Sequence, residues 1–174
     1  YVAQFVRSLV QRGETDEAEA WVNRLEGLAA DSFDALDAKS RLCVAQGRPQ
    51  EALAAIRAYA EKPGLEHAEQ AKRVGQTAAL LEKLDQQSAA EEKYREYVAK
   101  QPDQLVVLMG FLARRGRLQE AIDLCEQVWR SGPSEMAAAA SVGVLRQGGA
   151  SEEMCEGVAR RLQEAIEKEP TAIA

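Results

Sequence analysis

Residues 103–133 read DQLVVLMGFLARRGRLQEAIDLCEQVWRSGP. Two helical patterns lie in this stretch, one on each side of Gly116. In the first, Leu105, Leu108, Met109 and Leu112 recur at three- and four-residue spacing, the period of one helix face. In the second, Ala121, Cys125 and Val128 do the same, led by a small residue. Gly116 supplies the left-handed residue that closes the first helix. Pro133 stops the second, because proline cannot continue a helix. The unit is helix, tight turn, helix, stop.

The arrangement recurs along the chain. Gly13, Gly47, Gly116 and the pair Gly148-Gly149 mark turns, and Asp85 fills the same role once. A small residue follows in each second helix: Ala18, Ala52, Ala90 and Ala121, at steps of 34, 38 and 31. Such a residue lets the paired helix approach closely, so that ridges pack into grooves. Larger residues four and seven places on, such as Val22 and Leu25 or Ile56 and Tyr59, fill the space between repeats. Pro63, Pro102, Pro133 and Pro170 close units, and Pro49 sits at a helix start, where its missing N–H costs nothing. A period near 34 carried by helix pairs is the mark of a helical solenoid. The expected fold is all-α, an α-α superhelix (right-handed solenoid) of about five helix pairs. The units run roughly 1–31, 32–64, 65–102, 103–133 and 134–170 of a single 1–174 domain. The ten helices are expected at 1–12, 15–30, 33–46, 49–62, 65–84, 87–100, 103–115, 118–131, 134–147 and 151–168. The 38-residue step places an insertion at the long fifth helix.

Composition agrees. Of 174 residues, 31 are Ala and only 5 are Pro, with aromatics at 5%, a mixture that favours helix nearly everywhere. The net charge of −6 and a pI near 5.0 argue against a nucleic-acid binder, including a helical-repeat protein that reads RNA. No apolar run approaches the length of a membrane span. The chain does not begin with methionine and shows no signal-peptide pattern at Tyr1-Val2-Ala3-Gln4-Phe5. It is therefore expected to be a fragment of a longer protein, cytoplasmic by its sparse cysteine usage. Cys43, Cys125 and Cys155 form no paired motif and read as small apolar residues; with one histidine, His67, no metal cluster is expected. Glu and Asp clusters such as Asp16-Glu17-Glu19 and Glu152-Glu153 fall in first turns, where they offset the helix dipole. Trp21 and Trp129 read as packing residues. No catalytic constellation and no cofactor site emerge, so the chain is not expected to be an enzyme.

The repeats resemble the tetratricopeptide repeat (TPR) family, whose pattern is W-x2-L-G-x2-Y, then A-x3-F, then P. The best match is Leu105-x2-Leu108-Met109-x2-Leu112, Gly116, Ala121-x3-Cys125 and Pro133. The others are Val74, Ala78, Leu81, Ala90-x3-Tyr94, Pro102; Leu36, Ser40, Cys43, Gly47, Ala52-x3-Ile56, Pro63; and Val2, Phe5, Leu9, Gly13, Ala18, Val22. The last unit is loosest, with Met154 where the small alanine belongs. The resemblance implies that first helices line a concave groove and second helices the back. On that division first helices with their turns sum to +4 and second helices to −9, a groove less negative than its back. The family's carboxylate clamp would need Lys and Asn at positions that here hold Asp37, Ala38 and Arg41, then Gly75, Gln76 and Ala79, then Val106, Val107 and Gly110, so no clamp is expected.

What remains implies a protein–protein interaction scaffold that takes a partner helix or extended peptide in the groove. The residues expected to form it are Arg41, Val106, Gly110, Ala113, Arg114, Ala139, Gly143 and Arg146. The alternative is a regulatory or sensory segment of a larger multidomain protein, such as a kinase or secretion component. Neither end looks capped. Val2, Phe5, Val6, Leu9 and Val10 are too many for one buried stripe, and self-association through a terminal repeat is an expected consequence.

Overall fold

The computed structural model describes residues 2–168. Tyr1 and residues 169–174, which include Pro170 and the expected start of a further helix, lie outside them. The fold is an all-α helical-repeat solenoid: ten α-helices, one short 3-10 turn and no strand occur among the described residues. The chain groups into two compact units, residues 1–97 and 98–174.

The first unit holds α1 (Val2–Gln11), α2 (Thr15–Ala29), α3 (Phe33–Ala45), α4 (Pro49–Ala60), α5 (His67–Lys83) and most of α6 (Gln87–Lys100). Helix α3 packs on both α1 and α2, and α4 packs on α3 and α5. Ala18, Ala52 and Ala90 are at most 1% exposed, which is the close crossing their size predicts. Val6, Leu9, Val22 and Leu42 close the core around Ala18 and Ala38. Three of the first unit's interhelix turns are alike. The residue after Gly13, Gly47 or Asp85 returns its N–H to the carbonyl of Leu9, Cys43 or Leu81, at 3.0, 2.7 and 2.9 Å. The closing residue must be left-handed: Gly47 has φ +73°, and Asp85 takes +59° without being glycine.

Polar groups fix the joints between repeats. The Arg73 side chain, 6% exposed, donates to both carboxylate oxygens of Asp31 at 2.9 and 2.8 Å. It also lies 4.2 Å over the Tyr59 ring and meets Glu69 at 3.4 Å. Lys62 adds a bond to Asp31 at 2.6 Å. Arg73 and Lys62 together hold the Asp31 carboxyl well below the usual carboxylate range, and Asp31 in turn raises the Arg73 guanidinium. The node ties the α2–α3 corner to α4 and α5. Gly75 lies where a Cβ would come 3.1 Å from the Tyr97 ring, so a glycine lets α6 sit close on α5.

The second unit begins with the 3-10 turn Pro102–Gln104, followed by α7 (Leu105–Arg114), α8 (Leu118–Ser131), α9 (Ser134–Leu145) and α10 (Glu152–Lys168). Helices α7, α8 and α9 pack mutually around Leu108, Phe111, Leu112 and Ala121, all 3% exposed or less. The seventh helix starts at Leu105 rather than at 103, because residues 102–104 form the 3-10 turn. Helix α10 packs on α9 and buries only Val158 and Ala165. The turn before it departs from the others: Gly148 and Gly149 both take positive φ, 86° and 78°. That lengthens the loop, and α10 starts from a Ser151 hydroxyl that accepts the Met154 N–H at 3.2 Å.

Candidate functional site

The residues expected to form the groove divide by environment. On α7, Val106 and Gly110 are half-buried and Arg114 is exposed; on α9, Ala139 and Gly143 are exposed, as is Arg146 just after its end. Four-residue steps set Val106 with Gly110, and Ala139 with Gly143, on one face of each helix. The two helices pack against each other. A Cβ at Gly110 would come 3.2 Å from a guanidinium nitrogen of Arg114, so the arginine folds back across the glycine.

Two of the expected residues are withdrawn from such a surface. Ala113 is 3% exposed, because it belongs to the face of α7 that carries Met109 and Leu112 into the core. Arg41, in the first unit, has a side chain only 16% exposed and bonds Asp37 at 2.9 Å. Asp37 is itself 6% exposed and accepts a second cation, Arg7, at 3.3 Å. The sequence reading treated Asp37 as a surface position; it is the buried centre of a cation–carboxylate–cation cluster joining α1 to α3. Burying a carboxylate there is tolerable because two guanidiniums pair it.

A feature the sequence reading did not single out lies between α8 and α10. An open cleft of about 580 Å³ has Cys125, Trp129 and Ser141 along one wall and Met154 and Val158 along the other. The Trp129 Nε1–H donates to Ser141 Oγ at 3.2 Å, and that hydroxyl donates to the Ala137 carbonyl at 2.8 Å. Arg161 spans the mouth, bonding Glu126 on α8 at 3.2 and 2.6 Å and Glu164 at 3.2 Å. The one sequence signal was Met154 at the small-residue position, where its side chain lines the cleft.

This chemistry is that of packing and recognition. Burial pushes the Cys125 and Cys43 thiols up, away from the thiolate that a nucleophile needs. Cys155 departs from the expected apolar role, for it is exposed on the first turn of α10. His67 is exposed at the start of α5. No group of three or more His, Cys, Asp or Glu side chains among the described residues is placed to hold a metal ion. No helix of the described residues is long and apolar enough to cross a membrane.

The tetratricopeptide repeat family profile matches residues 6–24 and 35–58, the helix pairs of the first and second repeats. A crystal structure of the nearly identical TPR-like repeats of a protein assigned as a kinesin light chain in Podosopora anserina is similar over 98% of this chain and 96% of that one, with 17% identity and a TM-score of 0.56. A variant of those repeats with one glutamine replaced by methionine is similar over 96% of this chain and 93% of that one, with 18% identity and a TM-score of 0.55. The chain shares the helical-repeat fold of those structures, and the family profile matches its first two helix pairs. No curated protein sequence matches it. Tetratricopeptide repeats are in general scaffolds for protein–protein interaction, since each repeat adds its exposed face to an extended surface. The matched repeats are the two with the most regular spacing, 34 residues from Ala18 to Ala52.

Proposed function

We propose that this helical-repeat chain is a non-catalytic interaction scaffold whose second unit binds a partner helix or extended apolar segment along α7 and α9. Val106, Gly110, Ala139 and Gly143 form the small, apolar floor; Arg114 and Arg146 stand beside it as exposed cations. Arg41 and Ala113 take no part. The observation that carries the reading is the pairing of α7 with α9 while both keep small residues at four-residue steps open to solvent. A floor without bulky side chains lets a peptide backbone or a helix ridge approach closely. The arginines select acidic flanks and steer association more than they add affinity.

The test is affinity capture with the intact protein, followed by titration of the recovered partner. Arg114→Glu with Arg146→Glu should slow association and weaken binding, most at low salt. Gly143→Leu should abolish binding while the protein stays folded. A partner whose affinity ignores all three changes would remove the second unit's first helices from the function.

A further inference from the structure

Arg41, withdrawn from the second unit's floor, belongs to a separate feature of the first unit. Asp37 is 6% exposed and lies where α1 meets α3. Arg7, on α1, donates from Nη2 to one of its oxygens at 3.3 Å. Arg41, one turn further along α3, donates from Nε to the other at 2.9 Å. Two guanidiniums face one carboxylate, so the cluster carries one positive charge in excess. No other carboxylate among the described residues pairs with either arginine. Each guanidinium spends a single N–H on Asp37. The Arg7 Nε is buried and meets no acceptor, and the Nη nitrogens of Arg41 meet none among the described residues. A buried donor without an acceptor is costly, and so is a half-buried cation without a counter-ion. The cluster is one carboxylate short of balance.

The excess is confined to this joint. The 34-residue step from Ala18 to Ala52 also carries Arg7 onto Arg41, so the two hold the same place on successive first helices. The 38-residue step to the third repeat carries Asp37 and Arg41 onto Gly75 and Ala79, which bear no charge. Both helix pairs that form the joint, α1–α2 and α3–α4, are in place around it. We propose that Arg7 and Arg41 bind a second, external carboxylate, with Asp37 as the fixed counter-ion that holds the pair together. A carboxylate brings the cluster to two charges of each sign, and its planar pair of oxygens matches a guanidinium edge. A phosphate dianion overshoots the balance and meets Asp37 at close range. Arg7 is the member that responds. Its long bond, its unpaired Nε and a side chain 42% exposed let it turn its Nε–Nη edge to the ligand while Arg41 keeps Asp37. This is not the family's lysine–asparagine clamp. It also stands apart from the apolar floor of the second unit, so either reading can fail without the other. The carboxylate comes from an Asp or Glu side chain of a peptide or from a free organic acid, and the cluster recognises the group they share.

The test follows the arginine Nε–Hε resonances of the intact, isotope-labelled protein near neutral pH. In one arm sodium acetate replaces sodium chloride at constant ionic strength. In the other a hexaglutamate peptide is titrated beside a hexaglutamine one. The Arg7 and Arg41 signals should shift saturably with acetate and with hexaglutamate, and not with chloride or hexaglutamine. Tighter binding of hexaglutamate at equal carboxylate concentration supports a peptide side chain as the source, and equal binding supports a free acid. Asp37→Asn raises the excess from one charge to two and should tighten both ligands at least about tenfold, the scale of one close charge pair. A purely structural cluster predicts no such gain. Arg7→Gln should weaken both at least about tenfold while the protein stays folded, and it decides the matter if Asp37→Asn does not fold. The proposal is overturned if neither ligand moves the two arginines, or if Arg7→Gln leaves binding unchanged. It is also overturned if a folded Asp37→Asn binds no more tightly, or if sodium phosphate at the same ionic strength binds better than acetate.

Discussion

Replacing Arg73 tests whether the joint between the first repeats rests on one buried guanidinium. Its side chain is 6% exposed, so Arg73→Ala removes two methylenes from a dry environment, about 1.5 kcal/mol at ~0.8 each. It also removes the cation stacked 4.2 Å over the half-buried Tyr59, about 1 kcal/mol for a pair that is only partly desolvated. The expected loss is about 2.5 kcal/mol, read by urea unfolding of the first unit. Arg73→Met keeps most of the stem and should cost roughly half as much. The partner gives the pH dependence. The carboxyl of Asp31 is held below its ordinary range by Arg73 and Lys62. A carboxyl with a depressed folded-state pKa stabilises the fold above its unfolded pKa, near ~4, and the contribution is lost as pH falls below that. The wild type should therefore lose stability between about pH 4 and pH 2 more steeply than Arg73→Met does. A cost under about 0.5 kcal/mol for Arg73→Ala, or the same acid limb in wild type and Arg73→Met, would refute the reasoning.

Ala121→Leu should overpack the α7–α8 crossing and destabilise by about 1–3 kcal/mol in the same urea assay, because Ala121 has no exposed surface. Asp85→Gly should stabilise by about 0.5–1 kcal/mol, seen as a rise in Tm, since Asp85 alone among the described non-glycine residues takes positive φ. A thiol reagent at pH 7 should label Cys155 within minutes and reach Cys43 and Cys125 only on unfolding, because those two are buried and their thiols are pushed up; mass spectrometry after quenching reads the order.

The repeat architecture was legible because its signals are local. A small residue, a left-handed turn and an apolar stripe lie within one helix pair, so Ala18, Ala52, Ala90 and Ala121 marked the helix pairs and Asp85 was readable as a turn without glycine. The polar joints were not legible, because their partners are distant in sequence. Asp31 and Arg73 are 42 residues apart, and Arg7 and Asp37 are 30 apart. No pattern in either segment marks them, and Arg41 looked like an open surface cation because the burial of Asp37 depends on α1. Ala113 was misplaced by one helix face, since α7 is apolar nearly all round and its stripe cannot be phased from sequence. The α8–α10 cleft was half-legible: Met154 broke the small-residue rule, but the separation of the helices is a matter of three-dimensional packing.

The central claim is that partners are taken by the first helices of the second unit. Amide hydrogen exchange of the intact protein, with and without the captured partner, tests it most directly. The account predicts added protection in α7 and α9 around Val106–Gly110 and Ala139–Gly143, lost in the Arg114→Glu, Arg146→Glu variant. Protection confined to α8 and α10, with α7 and α9 exchanging as in the free protein, would contradict it.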